Sequence, residues 1–178
     1  MDNSMEAPNK HLQEKPILEA EKPIPLWVEH CCSLLGVFIS MGIISLISVY
    51  YHMYILIPSF ASSAVMLFTS YNNPLAQPRN VLGGHTMCAI AGIISNYFFG
   101  QEWWAISIAV LLAAFFMIIT KTLHPPGGGT AVVAHMAELG TNPFLVLFPV
   151  VVNAIIVIIA ALIINNAISS RKYPMFWR

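Results

Sequence analysis

Leu123 to Ala137 reads LHPPGGGTAVVAHMA. Proline has no backbone N–H and pushes the residue before it out of the helical region, so a helix arriving at Lys121 must stop. From Gly127 the chain again reads as helix, short and built of small residues. An earlier stretch has the same plan: Pro58 is followed by SFASSAVMLF, Ser59 to Phe68. Ala61-Ser62-Ser63-Ala64-Val65 aligns with Gly128-Gly129-Thr130-Ala131-Val132 at an offset of 67 residues, and the same offset sets Pro58 on Pro125. Each half therefore reads as a span, a proline break, a short helix of small residues and a second span.

The surrounding composition fixes the solvent. Of 178 residues 57% are hydrophobic and 9% charged, against about 25% charged in a soluble domain. Between His30 and Ser170 the formal charges are Arg79, Glu102, Lys121 and Glu138 alone. Such a stretch cannot keep a soluble surface wet. That excludes a soluble enzyme, a basic nucleic-acid binder and a disordered chain, and leaves an integral membrane domain. The polar N-terminal residues 1–29 read as a mostly disordered cytoplasmic tail, with a helix around Pro16 to Lys22. Residues 30–170 form the transmembrane domain, in halves of about 30–99 and 100–167, and residues 171–178 form a basic cytoplasmic tail. Cys31, Cys32 and Cys88 read as reduced packing residues. No CxxC or HExxH occurs, and no metal or cofactor is expected.

Full spans are expected at Cys31–Tyr50, Val81–Phe99, Trp103–Thr120 and Pro143–Asn166, with a turn at Glu138–Asn142. Charge decides whether the two broken segments also cross. If they do, and the N-terminus is inside, Arg79, Lys121, Arg171 and Lys172 are cytoplasmic while Glu102 and Glu138 lie outside, as the positive-inside rule requires. With four crossings Arg79 and Lys121 move outside. Five extended and ten helical residues reach roughly 30 Å, one hydrocarbon core. The expected fold is an all-α membrane protein with six crossings, in two inverted repeats of three. The middle crossing of each repeat is broken and carries a short half-helix.

A half-helix that starts near the midplane leaves backbone N–H groups without helical partners and adds a partial positive charge. Two such starts, at Ser59–Ser62 and Gly127–Thr130, make an anion site that needs no charged side chain. Gly127, Gly128 and Gly129 allow close backbone approach, and Ser59, Ser62, Ser63 and Thr130 offer hydroxyls. Close helix packing is the other reading of the same small residues. His124 either faces the break, as an anion donor or proton carrier, or is a hydrogen-bonded linker residue. His85 is an ionisable group in an apolar span, a functional candidate or a helix–helix tie. Gly84, Cys88 and Gly92 beside it form a packing stripe. Arg79 and Lys121 either draw anions to the inner mouth or set topology. Asn153, an amide in the last span, bonds either the break or a neighbouring helix. His52 and His135 belong near the outer face, and His11 and His30 carry no signal. No catalytic set is found, and no enzyme activity is expected.

Pro74 to His85 (PLAQPRNVLGGH), Leu123 to Ala131 (LHPPGGGTA) and Asn165 to Trp177, with its RKYPMFW ending, resemble the HPP family of integral membrane proteins over roughly Leu35 to Trp177. The resemblance implies four transmembrane segments as usually described, to which the broken crossings are an addition. Plant chloroplast and cyanobacterial members are associated with nitrite transport, and the resemblance implies the same. Some relatives carry appended CBS domains; none is read here, so nucleotide sensing is not expected. The combined expectation is transport of a small inorganic anion, nitrite first. The alternative is a non-transporting assembly or scaffold subunit. A lipid bilayer is the expected surrounding, a homo-oligomer the expected assembly, no nucleic acid the expected partner, and a bacterial inner membrane the expected location.

Overall fold

A computed structural model describes residues 24–50, 57–137 and 142–176. The N-terminal helix expected around Pro16, most of the 138–142 turn with Glu138, and His11 and His52 lie outside the described residues. Six α-helices follow in order: α1 (Leu26–Tyr50), α2 (Ile57–Thr69), α3 (Pro78–Phe99), α4 (Ala105–Ile119), α5 (Gly127–Met136) and α6 (Phe144–Asn166). Among the described residues there is no strand. α1, α3 and α6 are long and apolar enough to cross a membrane. α2, with 13 residues, and α5, with 10, extend only about 20 and 15 Å.

The helices are inside out relative to a soluble bundle. α1 buries Ser33, Gly36, Ser40, Ile44 and Ser48 at helical spacing and exposes Leu34, Phe38 and Leu46. α4 buries Ala105, Ala109, Ala113 and Met117 and exposes Leu111, Phe115 and Ile118. In lipid no hydrophobic force draws large side chains inward, so small residues take the helix contacts and the bulky ones face the acyl chains. A Cβ at Gly36 would overlap the Phe68 ring, and one at Gly92 would collide with the Ala131 carbonyl. α3 is the central helix, packed against α4, α5 and α6, while α1 packs on α2 and α6.

Hydrogen bonds define the two ends of the bundle. At one end the start of α1 meets the ends of α2 and α6 through Arg171. The start of α3 meets the segment after α4 there too, where Asn80 Nδ2 donates to the Leu123 carbonyl at 2.8 Å. This loop-bearing end carries Arg79, Lys121, Arg171 and Lys172. At the other end Asn96 Nδ2 and Gln101 Nε2 donate to the His135 carbonyl, and Glu102 lies in the turn before α4. α2 runs towards the loop-bearing end and α5 away from it.

Several boundaries differ from the sequence reading: α2 covers Ile57–Thr69 rather than Ser59 to Phe68, and α3 begins at Pro78 rather than Val81. α1 begins at Leu26, so Leu26 to Glu29 belong to the helix rather than to the polar tail. Trp103 and Trp104 form the turn before α4. α4 ends in a Schellman arrangement, Thr122 N to Met117 O and Lys121 N to Ile118 O, with Lys121 at φ 55° in the position that usually takes glycine. The C-terminal segment is also no free basic tail. Arg171 is buried, its guanidinium donating to the carbonyls of Phe68 and Glu29, to Asn165 Oδ1 and to Ser33 Oγ. A cation there also offsets the negative ends of α2 and α6. Tyr173 is buried and its hydroxyl donates to the Ala76 carbonyl at 2.8 Å.

Candidate functional site

The first turns of α2 and α5 abut. A Cβ at Gly129 would lie 3.3 Å from Ser59 Cβ, and Ser59 Oγ and Thr130 Oγ1 are 3.0 Å apart. His85 of α3 stands between the two helices. Its Nδ1 lies 2.7 Å from Thr130 Oγ1 and its Nε2 2.7 Å from Ser63 Oγ. Ser63 Oγ is also 2.9 Å from His124 Nε2, and His124 Nδ1 is 2.8 Å from the Leu75 carbonyl in the loop before α3. Phe60 stacks on the His85 ring with centroids 4.2 Å apart. Ser63, His85, His124 and Thr130 have no exposed surface, and Ser59 is 3% exposed.

The α3 stripe lets this cluster close. At Gly84 a Cβ would press on His124 Cβ, and at Gly127 one would meet Cys88 Sγ. The loop holds its carbonyl in place through Asn73, whose Oδ1 accepts from Leu75 N at 2.9 Å, and through Gln77, whose Nε2 donates to the carbonyls of Tyr71 and Asn73.

Proton counting fixes the bond directions. A carbonyl only accepts, so His124 Nδ1 carries the hydrogen that faces Leu75. In a neutral ring Nε2 is then bare and accepts from the Ser63 hydroxyl. Ser63 has one proton, so it accepts from His85 Nε2–H. The bare His85 Nδ1 then accepts from Thr130 when that hydroxyl turns from Ser59 Oγ, its acceptor at 3.0 Å, to the ring at 2.7 Å. The Ser59 carbonyl, 3.2 Å from Ser63 Oγ, is the longer of the alternatives for that proton. With both hydroxyls turned to the rings, one neutral arrangement satisfies every contact from Thr130 to Leu75.

A scan against protein-family models matches residues 22–174 to the transmembrane region of HPP proteins. The chain belongs to the HPP transmembrane family. Two transmembrane proteins of Dictyostelium discoideum are similar. One is 43% identical over 128 residues, which is 68% of this chain and 41% of that protein. The other is 39% identical over 131 residues, 70% of this chain and 46% of that protein. The chain spans less than half the length of these relatives. No solved structure matches it. The similarity to Dictyostelium proteins gives an integral membrane protein and lends no support to a bacterial inner membrane.

Within this HPP domain the sequence candidates divide. Ser59, Ser63, His85, His124 and Thr130 come together. Ser62 does not: it is exposed on α2. The N–H groups expected to be free at the start of α5 have turn partners. Gly127 donates to His124 O, Gly128 to Pro125 O and Gly129 to Pro126 O, at 2.9 to 3.2 Å. The positive end of the helix dipole remains, but these donors do not stand open. Arg79 is exposed and donates to the Thr120 carbonyl at the loop-bearing end, and Lys121 serves the α4 terminus. Asn153 is buried on α6 and makes no hydrogen bond to the cluster among the described residues. Among those residues no third His, Cys, Asp or Glu joins the two histidines in a ligand group. The Leu75 carbonyl and the Phe60 ring were not foreseen; a carbonyl carries no sequence signal, and Phe60 reads as one more apolar residue.

Proposed function

We propose that the chain carries a small inorganic anion across the membrane, nitrite first and nitrate-like ions next, at the junction of α2 and α5. The observation that carries this reading is the meeting of two oppositely directed helix starts around one buried imidazole. Ser63 and Thr130, equivalent at the 67-residue offset, face its two nitrogens. Two positive dipole ends converge there, and hydroxyl and imidazole hydrogens supply the donors that the turn-bonded glycines do not. No charged side chain is required. Nitrite in particular follows from the family resemblance.

Helix boundaries support the two inverted halves. The offset lays Thr69 on Met136, the last residues of α2 and α5, and lays α3 on 145–166, within one residue of α6. With α2 and α5 in opposite senses, the reading is six crossings whose middle members are broken. The bases at the loop-bearing end support its placement on the cytoplasmic side, together with both termini. Pro58, Ser62 and Gly129 are exposed on a side of the bundle that lipid would otherwise meet. A second copy covering that face gives the homo-oligomer.

The filled cluster favours one rival. A non-transporting assembly or scaffold subunit needs a dry, packed interior, and the four buried side chains supply one. Transport requires that the cluster open when an anion enters. Proteoliposomes of the purified protein separate the two: faster entry of nitrite, nitrate or formate than into empty vesicles supports transport. Equal rates for all three support the scaffold.

A further inference from the structure

We infer that Thr130, His85, Ser63 and His124 form a relay that takes up one proton at the α2–α5 junction, shares it between the two imidazoles and returns it at the same junction, making a proton the co-substrate of the anion. This rests on the transport reading for its partner, but the relay itself stands on the bonding pattern.

Four consecutive polar contacts of 2.7 to 2.9 Å join Thr130 to the Leu75 carbonyl. The neutral cluster has one hydrogen in every contact, so an added proton has a defined course. It arrives from a hydronium ion at the junction, whose O–H bond breaks to leave water as the lone pair of His85 Nδ1 forms the new N–H bond, and the Thr130 hydroxyl points to Ser59 Oγ, 3.0 Å away. The N–H bond at His85 Nε2 then breaks and its hydrogen moves to Ser63 Oγ. Ser63 gives its original hydrogen to His124 Nε2. His124 now carries two N–H bonds, one to Ser63 and one to Leu75. His85 is neutral again with its hydrogen on Nδ1. One positive charge has crossed the cluster and every contact still holds one hydrogen. The same transfers in reverse bring the proton back to His85 Nδ1, where that N–H bond breaks as the proton leaves and Thr130 turns its hydroxyl back to the bare nitrogen.

The environment limits the load to one proton. The two rings are 5.1 Å apart between centroids, and two positive charges that close in a buried site repel strongly. α2 contributes Ser59, Ser63 and Phe60, α4 contributes Met117 at the His124 backbone, and α5 contributes Thr130. None of these titrates. On α3 Cys88 is the other titratable group at the junction, beside Gly127. Among the described residues no carboxylate or base bonds to either ring. Arg79 and Lys121 are exposed at the loop-bearing end. Depth fits this role: Ser59 lies ten residues before the end of α2, about 15 Å into the bundle, and the Leu75 carbonyl closes the relay on the side of the loop.

The test is the ¹⁵N spectrum of histidine-labelled protein in lipid nanodiscs without any anion, with ring signals assigned by His85→Gln and His124→Gln. At high pH the relay requires the hydrogen on Nε2 of His85 and on Nδ1 of His124. On acidification the two rings must take up one proton between them and shift together. Opposite tautomers, or two rings that titrate independently with one proton each, overturn it. A dye reporting pH inside proteoliposomes to which nitrite is added from outside gives the functional arm. Proton entry accompanying nitrite, about one per anion, is expected. Nitrite flux without proton movement removes the relay and leaves anion transport standing. A shared proton with no nitrite flux removes the anion and leaves the relay.

Discussion

Ser63 is the residue on which the cluster turns, because one hydroxyl serves both imidazoles. Ser63→Ala leaves His85 Nε2 and His124 Nε2 without that partner, at about 1–3 kcal/mol for each buried group left unsatisfied. A clear fall in thermal midpoint, read in the same detergent as the parent, is the expected outcome; an unchanged midpoint means that the serine is not holding the rings. The glycines separate in the same way. Gly92→Ala drives a methyl group into the Ala131 carbonyl and to within 2.7 Å of Ala134 Cβ, with a cost on the order of 1–3 kcal/mol. Gly128→Ala meets nothing within 4 Å and changes stability by no more than about 1 kcal/mol. Both thermal midpoints check this contrast. At this scale the sequence was informative where a residue was out of character. His85 in an apolar span and hydroxyls at matching repeat positions were visible, but the backbone oxygen of Leu75 was not, since any residue type supplies one.

Among the elements, the helices themselves were legible and their ends were less so. Apolar length marked α1, α3 and α6, and the double proline marked the start of α5. The start of α1 was missed because Leu26-Trp27-Val28 sits between prolines and charged residues, and the interface tolerates both. The packed C-terminal segment was missed for a related reason: Arg171 and Lys172 read as a solvated charge run, but one of them ties three helix ends together. Tyr173 tests that packing. Tyr173→Phe leaves the Ala76 carbonyl unpaired and is expected to cost about 1–3 kcal/mol. Burial pushes the Tyr173 phenol above its ordinary value. A raised value in the folded state means stability that is full below the usual phenol range near about 10 and lost as pH rises beyond it. Thermal midpoints across alkaline pH should therefore fall more steeply for the parent than for Tyr173→Phe. Parallel curves would show that the phenol is not held in its buried place.

At the scale of the whole molecule, a nearly uncharged interior excluded a soluble fold before any helix was placed. The bases Arg79, Lys121, Arg171 and Lys172 gather at one end of the bundle and Glu102 lies at the other. The closed interior was not legible, because whether hydroxyls and imidazoles face a cavity or one another depends on ångström-level helix approach. That approach is set by Gly84, Cys88 and Gly92 against α5. The central claim is that the α2–α5 junction is where the solute passes. Gly128 is its most discriminating position, since it borders the junction and has open space beside it. Nitrite uptake by proteoliposomes of Gly128→Leu, compared with the parent at equal protein and equal thermal midpoint, tests the claim directly. The account predicts parent uptake above that of empty vesicles and loss of that excess in Gly128→Leu. Undiminished uptake by a folded Gly128→Leu would contradict it.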